Sequence, residues 1–220
     1  MQVVKLRGEK LAAISLPLVV PPEGYGFQFS DNEGAKQVVL FGDSRIHQWE
    51  YEWPSDLEII KAGVSGSTSY QALTRLDTIL ELKPDGVLLQ VGVNDIVASR
   101  MVLGQFRKAV LHDAIENIVK ISTKITESGI KLVVMTVVPE INVDFARYLF
   151  WQGSLEPAAN YINAELKSRL PSNVVMINSD KYFKHADGRW RKDFSKDALH
   201  WNSMAYNALS SDLIEIFRDM

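Results

Sequence analysis

Four short clusters in this 220-residue chain hold the side chains that acyl transfer needs. Gly42-Asp43-Ser44 offers a hydroxyl nucleophile. Asp197-Ala198-Leu199-His200 offers an imidazole to take the hydroxyl proton, with a carboxylate three residues earlier that can reach the ring from the same turn and fix its tautomer. The other ring nitrogen is then free to face Ser44. The reaction also needs donors aimed at the oxygen on which negative charge develops, and losing one such donor typically costs ~10²–10³ in turnover. Gly63-Val64-Ser65-Gly66 suits this through the uncovered backbone N–H of Gly66. Gly92-Val93-Asn94-Asp95 suits it through the Asn94 amide.

Taken singly, each cluster has a plainer explanation. Gly-Asp-Ser is also a turn at a strand end, and Gly92 to Asp95 a capped turn. Gly63-x-x-Gly66 is also a phosphate-cradling loop, but it lacks both the Gly-x-Gly-x-x-Gly spacing and a following Lys-Ser/Thr. Asp197 and His200 are also a surface ion pair. All four in this order, each at the end of an expected element, argue for the chemistry.

The elements that must position these clusters are legible as alternating patterns. Short apolar runs at residues 37–41, 57–61, 86–91, 131–138 and 173–177 read as strands covered on both faces. Helical spacing of apolar residues fills 67–82, 106–128, 157–170 and 203–218. Strands alternating with helices imply one doubly wound α/β domain with a five-stranded parallel sheet, flavodoxin-like in strand order. Ligands of such sheets bind beyond the carboxyl ends of the strands, where three of the clusters fall. The domain is expected over residues 35–220, with residues 1–34 as an N-terminal arm or extra strand.

In order and spacing the clusters resemble the SGNH hydrolases, also called the GDSL family. Ser44 matches the block I nucleophile, Gly66 the block II glycine, Asn94 the block III asparagine, and Asp197 with His200 the block V Asp-x-x-His. The resemblance runs from about Val38 to the C-terminus. It continues through Gly66-Ser67-Thr68-Ser69, Arg75-Leu76-Asp77, Lys83-Pro84-Asp85, and Asn202 with Tyr206. It implies a carboxylic ester hydrolase with an acyl-enzyme on Ser44, and an oxyanion hole from the N–H groups of Ser44 and Gly66 with the Asn94 side chain. It also implies a short-chain acyl or acetyl ester as substrate, with carbohydrate as one candidate carrier. An O-acyltransferase using the same intermediate, or a binding module that kept the fold, are the alternatives. Three positions depart from the family: Arg45 stands where its name has Leu, Lys61 where block II has Asn, and Trp201 where Pro commonly follows the His.

Aromatic residues gather near the clusters, and Trp49, Phe150, Trp151 and Trp201 are the candidates for a substrate-facing wall. The stretch from Pro139 to Glu156 is long for a connection, which fits a lid, or equally a short helix that buries its aromatics. His47, His112 and His185 show no metal-ligand spacing, so neither metal nor cofactor is expected.

Bulk composition narrows the partners. The chain is 46% hydrophobic and 23% charged, as soluble domains are, and its formal net charge is −3 with no Lys/Arg run beyond two, which argues against nucleic acid. Cysteine is absent, so disulfides and cysteine nucleophiles are excluded. Lys5, Arg7 and Lys10 precede an apolar run at residues 11–20 that resembles a signal peptide. Glu9 and Pro17 interrupt the pattern and no Ala-x-Ala site follows, so the cytoplasm is favoured over export. No apolar stretch reaches the ~18 residues of a membrane span.

Overall fold

Side chains alternate across a strand, so a strand apolar throughout needs cover on both sides. The five runs do form strands in a computed structural model, which describes Phe29 and residues 34–220. They are β1 (Lys36–Gly42), β2 (Leu57–Gly63), β3 (Gly86–Gln90), β4 (Lys131–Met135) and β5 (Val175–Ile177). All pair in parallel, in the flavodoxin-like order β2-β1-β3-β4-β5. The helices are α1 (Ser44–His47), α2 (Ser69–Thr74), α3 (Leu76–Glu81), α4 (Val93–Met101), α5 (Arg107–Glu127), α6 (Phe145–Phe150), α7 (Glu156–Arg169), α8 (Asp180–Phe183) and α9 (Ser203–Arg218).

Alternation along the strands builds two cores. Val39, Phe41, Val87, Leu89 and Val134 enter one, with Leu76 of α3, Ile96 of α4, Ile115 and Ile118 of α5, and Ile162 of α7. Val38, Leu40, Leu88 and Val133 enter the other, with Ile46 of α1 and Leu209, Leu213 and Phe217 of α9. Each such side chain contributes about 1.5–3 kcal/mol on full burial, so the layers hold the strand ends firmly.

Two elements differ from the sequence pattern. The helix expected over 67–82 breaks at Arg75 into α2 and α3, and Arg75 donates back to Gly42 O, Ala62 O and Ser67 Oγ at the ends of β1 and β2. The strand expected to reach residue 138 stops at Met135, because β5 ends at its partner Ile177, whose carbonyl takes one last hydrogen bond from Thr136 N at 3.0 Å. Beyond it the side chain of Asn163 takes the place of a neighbouring strand, accepting from Val137 N at 2.7 Å and donating to Val137 O at 2.9 Å. The N-terminal arm and the candidate signal segment lie outside the described residues, apart from Gly34 and Phe29, which packs against the first core.

Candidate active site

Ser44 owes its position to a sharp exit from β1. A Cβ on Gly42 would sit 1.9 Å from Gln90 O, so only glycine lets β1 turn this close to β3. Asp43 then caps α1, its Oδ1 accepting from Arg45 N at 2.9 Å. Ser44 is the first residue of α1 and nearly buried at 8% exposure.

The Asp197–His200 turn brings its imidazole to this hydroxyl. His200 Nε2 lies 2.9 Å from Ser44 Oγ, and His200 Nδ1 lies 2.8 Å from Asp197 Oδ2. Asp197 Oδ1 accepts from the backbone N–H of Leu199 and of His200, both at 2.8 Å. Burial works to raise the Asp197 carboxyl, but these hydrogen bonds and the nearby imidazole outweigh it and hold the group at about 2. Asp197 is therefore an anion throughout neutral pH. With Nδ1–H donated to it, Nε2 is left to accept the serine proton.

Arg45, noted in the sequence only as a departure from a family name, ties this turn to the fold. Its guanidinium is fully buried and donates to Leu199 O at 2.9 Å, Val138 O at 2.7 Å and Pro139 O at 3.0 Å. It thus joins the segment carrying His200 to the exit from β4. Burial lowers its pKa, while Asp43 and then Tyr206 and Asp197 act to raise it. Arg45 also lies 4.8 Å over the ring of Trp201, which explains why an aromatic follows His200 here. Nothing in the residue types signals this role; the cue available was a charged residue at a position that follows a buried strand.

Gly66 and Asn94 come from the ends of β2 and β3. Gly66 has φ +76°, a left-handed conformation that glycine adopts without strain. Among the described residues, neither Ser44 N nor Gly66 N donates to a protein acceptor. Asn94 Nδ2 donates one hydrogen to Ser67 O at 3.0 Å, leaving its second hydrogen available. The loops are braced from behind, since Asp95 accepts from Ser69 N at 2.9 Å and Ser69 Oγ at 2.7 Å. Asn117 of α5 donates to the same Ser69 Oγ. Burial pushes Asp43 and Asp95 each up to about 6; hydrogen bonds oppose this in both cases, and Asp43 adds to the shift at Asp95. Lys61 is exposed and pairs with Glu50 at 3.0 Å, away from any reacting group.

The aromatic wall is corrected by the structure. Trp49 and Trp201 are each 1% exposed and Trp151 6%, so all three are core residues. Trp49 Nε1 donates to Ser210 Oγ, and Trp201 packs on Phe183 at 4.6 Å between ring centroids. Phe150 is exposed, on α6. That helix forms within Pro139–Glu156 but does not bury its aromatics: Phe145, Tyr148 and Phe150 all face solvent. His47 and His112 are exposed, and His185 lines an open cavity with Arg189 and Trp190. Among the described residues, no group of three His, Asp or Glu is placed to hold a metal ion, and no helix is long and apolar enough to cross a membrane.

Residues 23–208 match the GDSL-like lipase/acylhydrolase family. The chain is 28% identical over 190 residues to the uncharacterized lipoprotein YqeF of Bacillus subtilis (strain 168), covering 72% of this chain and 76% of that protein. A GDSL-like lipase from Bacteroides thetaiotaomicron VPI-5482 shares the fold at TM-score 0.64 and 20% identity, covering 84% of this chain and 88% of that one. An acetylxylan esterase from Geobacillus stearothermophilus shares it at TM-score 0.59 and 15% identity, covering 84% and 95%.

Proposed function

We propose that this chain, which belongs to the GDSL-like lipase/acylhydrolase family and is an ester hydrolase, cleaves its substrate through an acyl-enzyme on Ser44. The observation that carries the reading is the continuous relay from Ser44 Oγ through His200 to Asp197, at 2.9 and 2.8 Å. His200 Nε2 removes the Oγ proton as Oγ attacks the ester carbonyl carbon. The carbonyl oxygen becomes an oxyanion and accepts hydrogen bonds from Ser44 N–H, Gly66 N–H and Asn94 Nδ2–H. The imidazolium, stabilised by Asp197, gives its proton to the departing alcohol oxygen and leaves the acyl group on Ser44. Water then repeats the sequence, with His200 taking a water proton and returning it to Ser44 Oγ.

The substrate is a short-chain acyl or acetyl ester, with carbohydrate as the carrier. The likeness in fold to an acetylxylan esterase supports this choice. Hydrolysis of a p-nitrophenyl ester series from acetate to decanoate tests both parts. Rates should fall as the acyl chain lengthens, and Ser44→Ala should reduce them to background. Unchanged rates in Ser44→Ala would overturn the mechanism, and a maximum at long chains would overturn the substrate class.

A further inference from the structure

A cavity of about 460 Å³ lies away from Ser44, where the C-terminal end of α4 meets the first turns of α5 and α7. Arg100, Arg107 and Lys108 all line it, and none of its lining residues is acidic. The acceptors these arginines do have are neutral. Arg100 Nη2 donates to Ser154 O at 2.7 Å, and Arg107 donates to the Gln152 side chain. The buried Nε–H groups of both arginines have no hydrogen-bond partner among the described residues. Lys108 is exposed and makes no ion pair among them. Arg100 and Arg107 line the same cavity, and burial and then the charge of Arg107 lower the Arg100 pKa. Glu140 offsets this only in part, and its carboxylate already accepts from Leu155 N.

Three cations share this cavity with no acidic side chain in its lining, and buried donors such as the two Nε–H groups normally find a partner. We infer that this cavity is an oxyanion-binding site, in which Arg100, Arg107 and Lys108 hold a phosphate or carboxylate group. A guanidinium presents a planar pair of N–H donors that matches such a group, and the Lys ammonium adds a compact charge. Tyr161 and Leu111 supply an aromatic and an apolar wall for whatever the anion is attached to. Arg100 follows Asn94 by six residues on α4, which is about 9 Å along the helix. The anion is accordingly either a group on the ester substrate or a free ligand.

Calorimetric titration of the whole protein with inorganic phosphate at constant ionic strength tests the site without relying on ester hydrolysis. Saturable one-to-one binding is expected. Lys108→Gln and Arg107→Gln should each weaken it by about tenfold, as loss of one charge-assisted contact does. Lys108 holds no other element, so that variant reads the site and not the fold. If phosphate also raises KM for an acetyl ester carrying a carboxylate, but not for p-nitrophenyl acetate, the anion belongs to the substrate. If both KM values stay unchanged while phosphate binds, it is a free ligand. Absence of saturable binding to the wild type, or equal affinity in both variants, would overturn the site.

Discussion

The Asp197–His200 turn and helix α6 both lie in connections outside the sheet, yet the first is tied down at nearly every polar atom while the second exposes nearly every side chain. In the turn, Asp197 Oδ1 takes two backbone N–H groups and Oδ2 takes the imidazole. Ala198 O accepts from Ile141 N, Leu199 O from Arg45, and His200 O from Lys196 N. Helix α6 has no buried residue; Phe145 is 77% and Phe150 66% exposed. It is held by the Asp144 cap at its start and the buried Trp151 just past its end. A general base must keep its place to within fractions of an ångström, and dense hydrogen bonding supplies that. A six-residue helix with no buried face cannot be stable alone, so α6 belongs to the low-stability end of the fold.

The contrast can be broken at its strongest point by Asp197→Asn. The amide cannot serve as the ionised partner of the imidazole, and kcat should fall about 10³–10⁴-fold with the fold retained. Steady-state kinetics on p-nitrophenyl acetate checks this, and a loss under tenfold would remove Asp197 from the mechanism.

Arg45→Leu restores the family's usual residue and should still do harm. It leaves Leu199 O, Val138 O and Pro139 O without their donor, which should destabilise the protein by about 3–5 kcal/mol in urea unfolding. Because the His200 segment is then free to shift, kcat should fall about 10–100-fold in the fraction that folds, with KM little changed.

Asp43→Asn sharpens the electrostatic side. Burial holds the native Asp43 at about 6, above the ~3.9 of an unfolded chain. The native state therefore binds the extra proton in that window, and wild-type stability falls as pH rises through it. Asp43 Oδ1 accepts from Arg45 N, and an amide oxygen can keep that hydrogen bond. Relative to wild type, the variant should gain about 2–3 kcal/mol between roughly pH 4 and 7. Asp95 is raised in both proteins but less in the variant, because the Asp43 charge adds to its shift, so a minor part of the gain comes through Asp95. A parallel pH dependence would show that Asp43 carries no such shift.

The smallest effect is expected on α6. Phe150→Ser should change unfolding free energy by no more than about 0.5 kcal/mol, since the ring is already in water. Hydrogen exchange should be faster at α6 amides than at residues 197–202. Equal protection would mean that α6 is covered in solution.

The fold was legible because its central strands β1, β3 and β4 carry buried apolar residues on both faces and its long helices keep a clear period, as α5 and α9 do. The Ser44, His200 and Asp197 cluster was legible because residue types and order survive without knowledge of the fold. What was not legible depends on side-chain direction. Trp49, Trp151 and Trp201 lie near the clusters in sequence, but proximity does not say which side of the backbone a ring takes, and all three point into the cores. The reach of Arg45 to residues 138, 139 and 199 spans distances in sequence that no local pattern encodes. The early end of β4 follows from the shortness of β5 and from Asn163, whose amide reads in sequence as an ordinary helix position.

Direct detection of the intermediate tests the central claim. The protein would be mixed with p-nitrophenyl acetate, quenched in acid within the first turnovers, digested and analysed by mass spectrometry. The mechanism predicts one added acetyl group, located on Ser44 in the peptide that contains Gly42-Asp43-Ser44. Turnover with no acetylated peptide, or with acetyl on another residue that persists in Ser44→Ala, would contradict it.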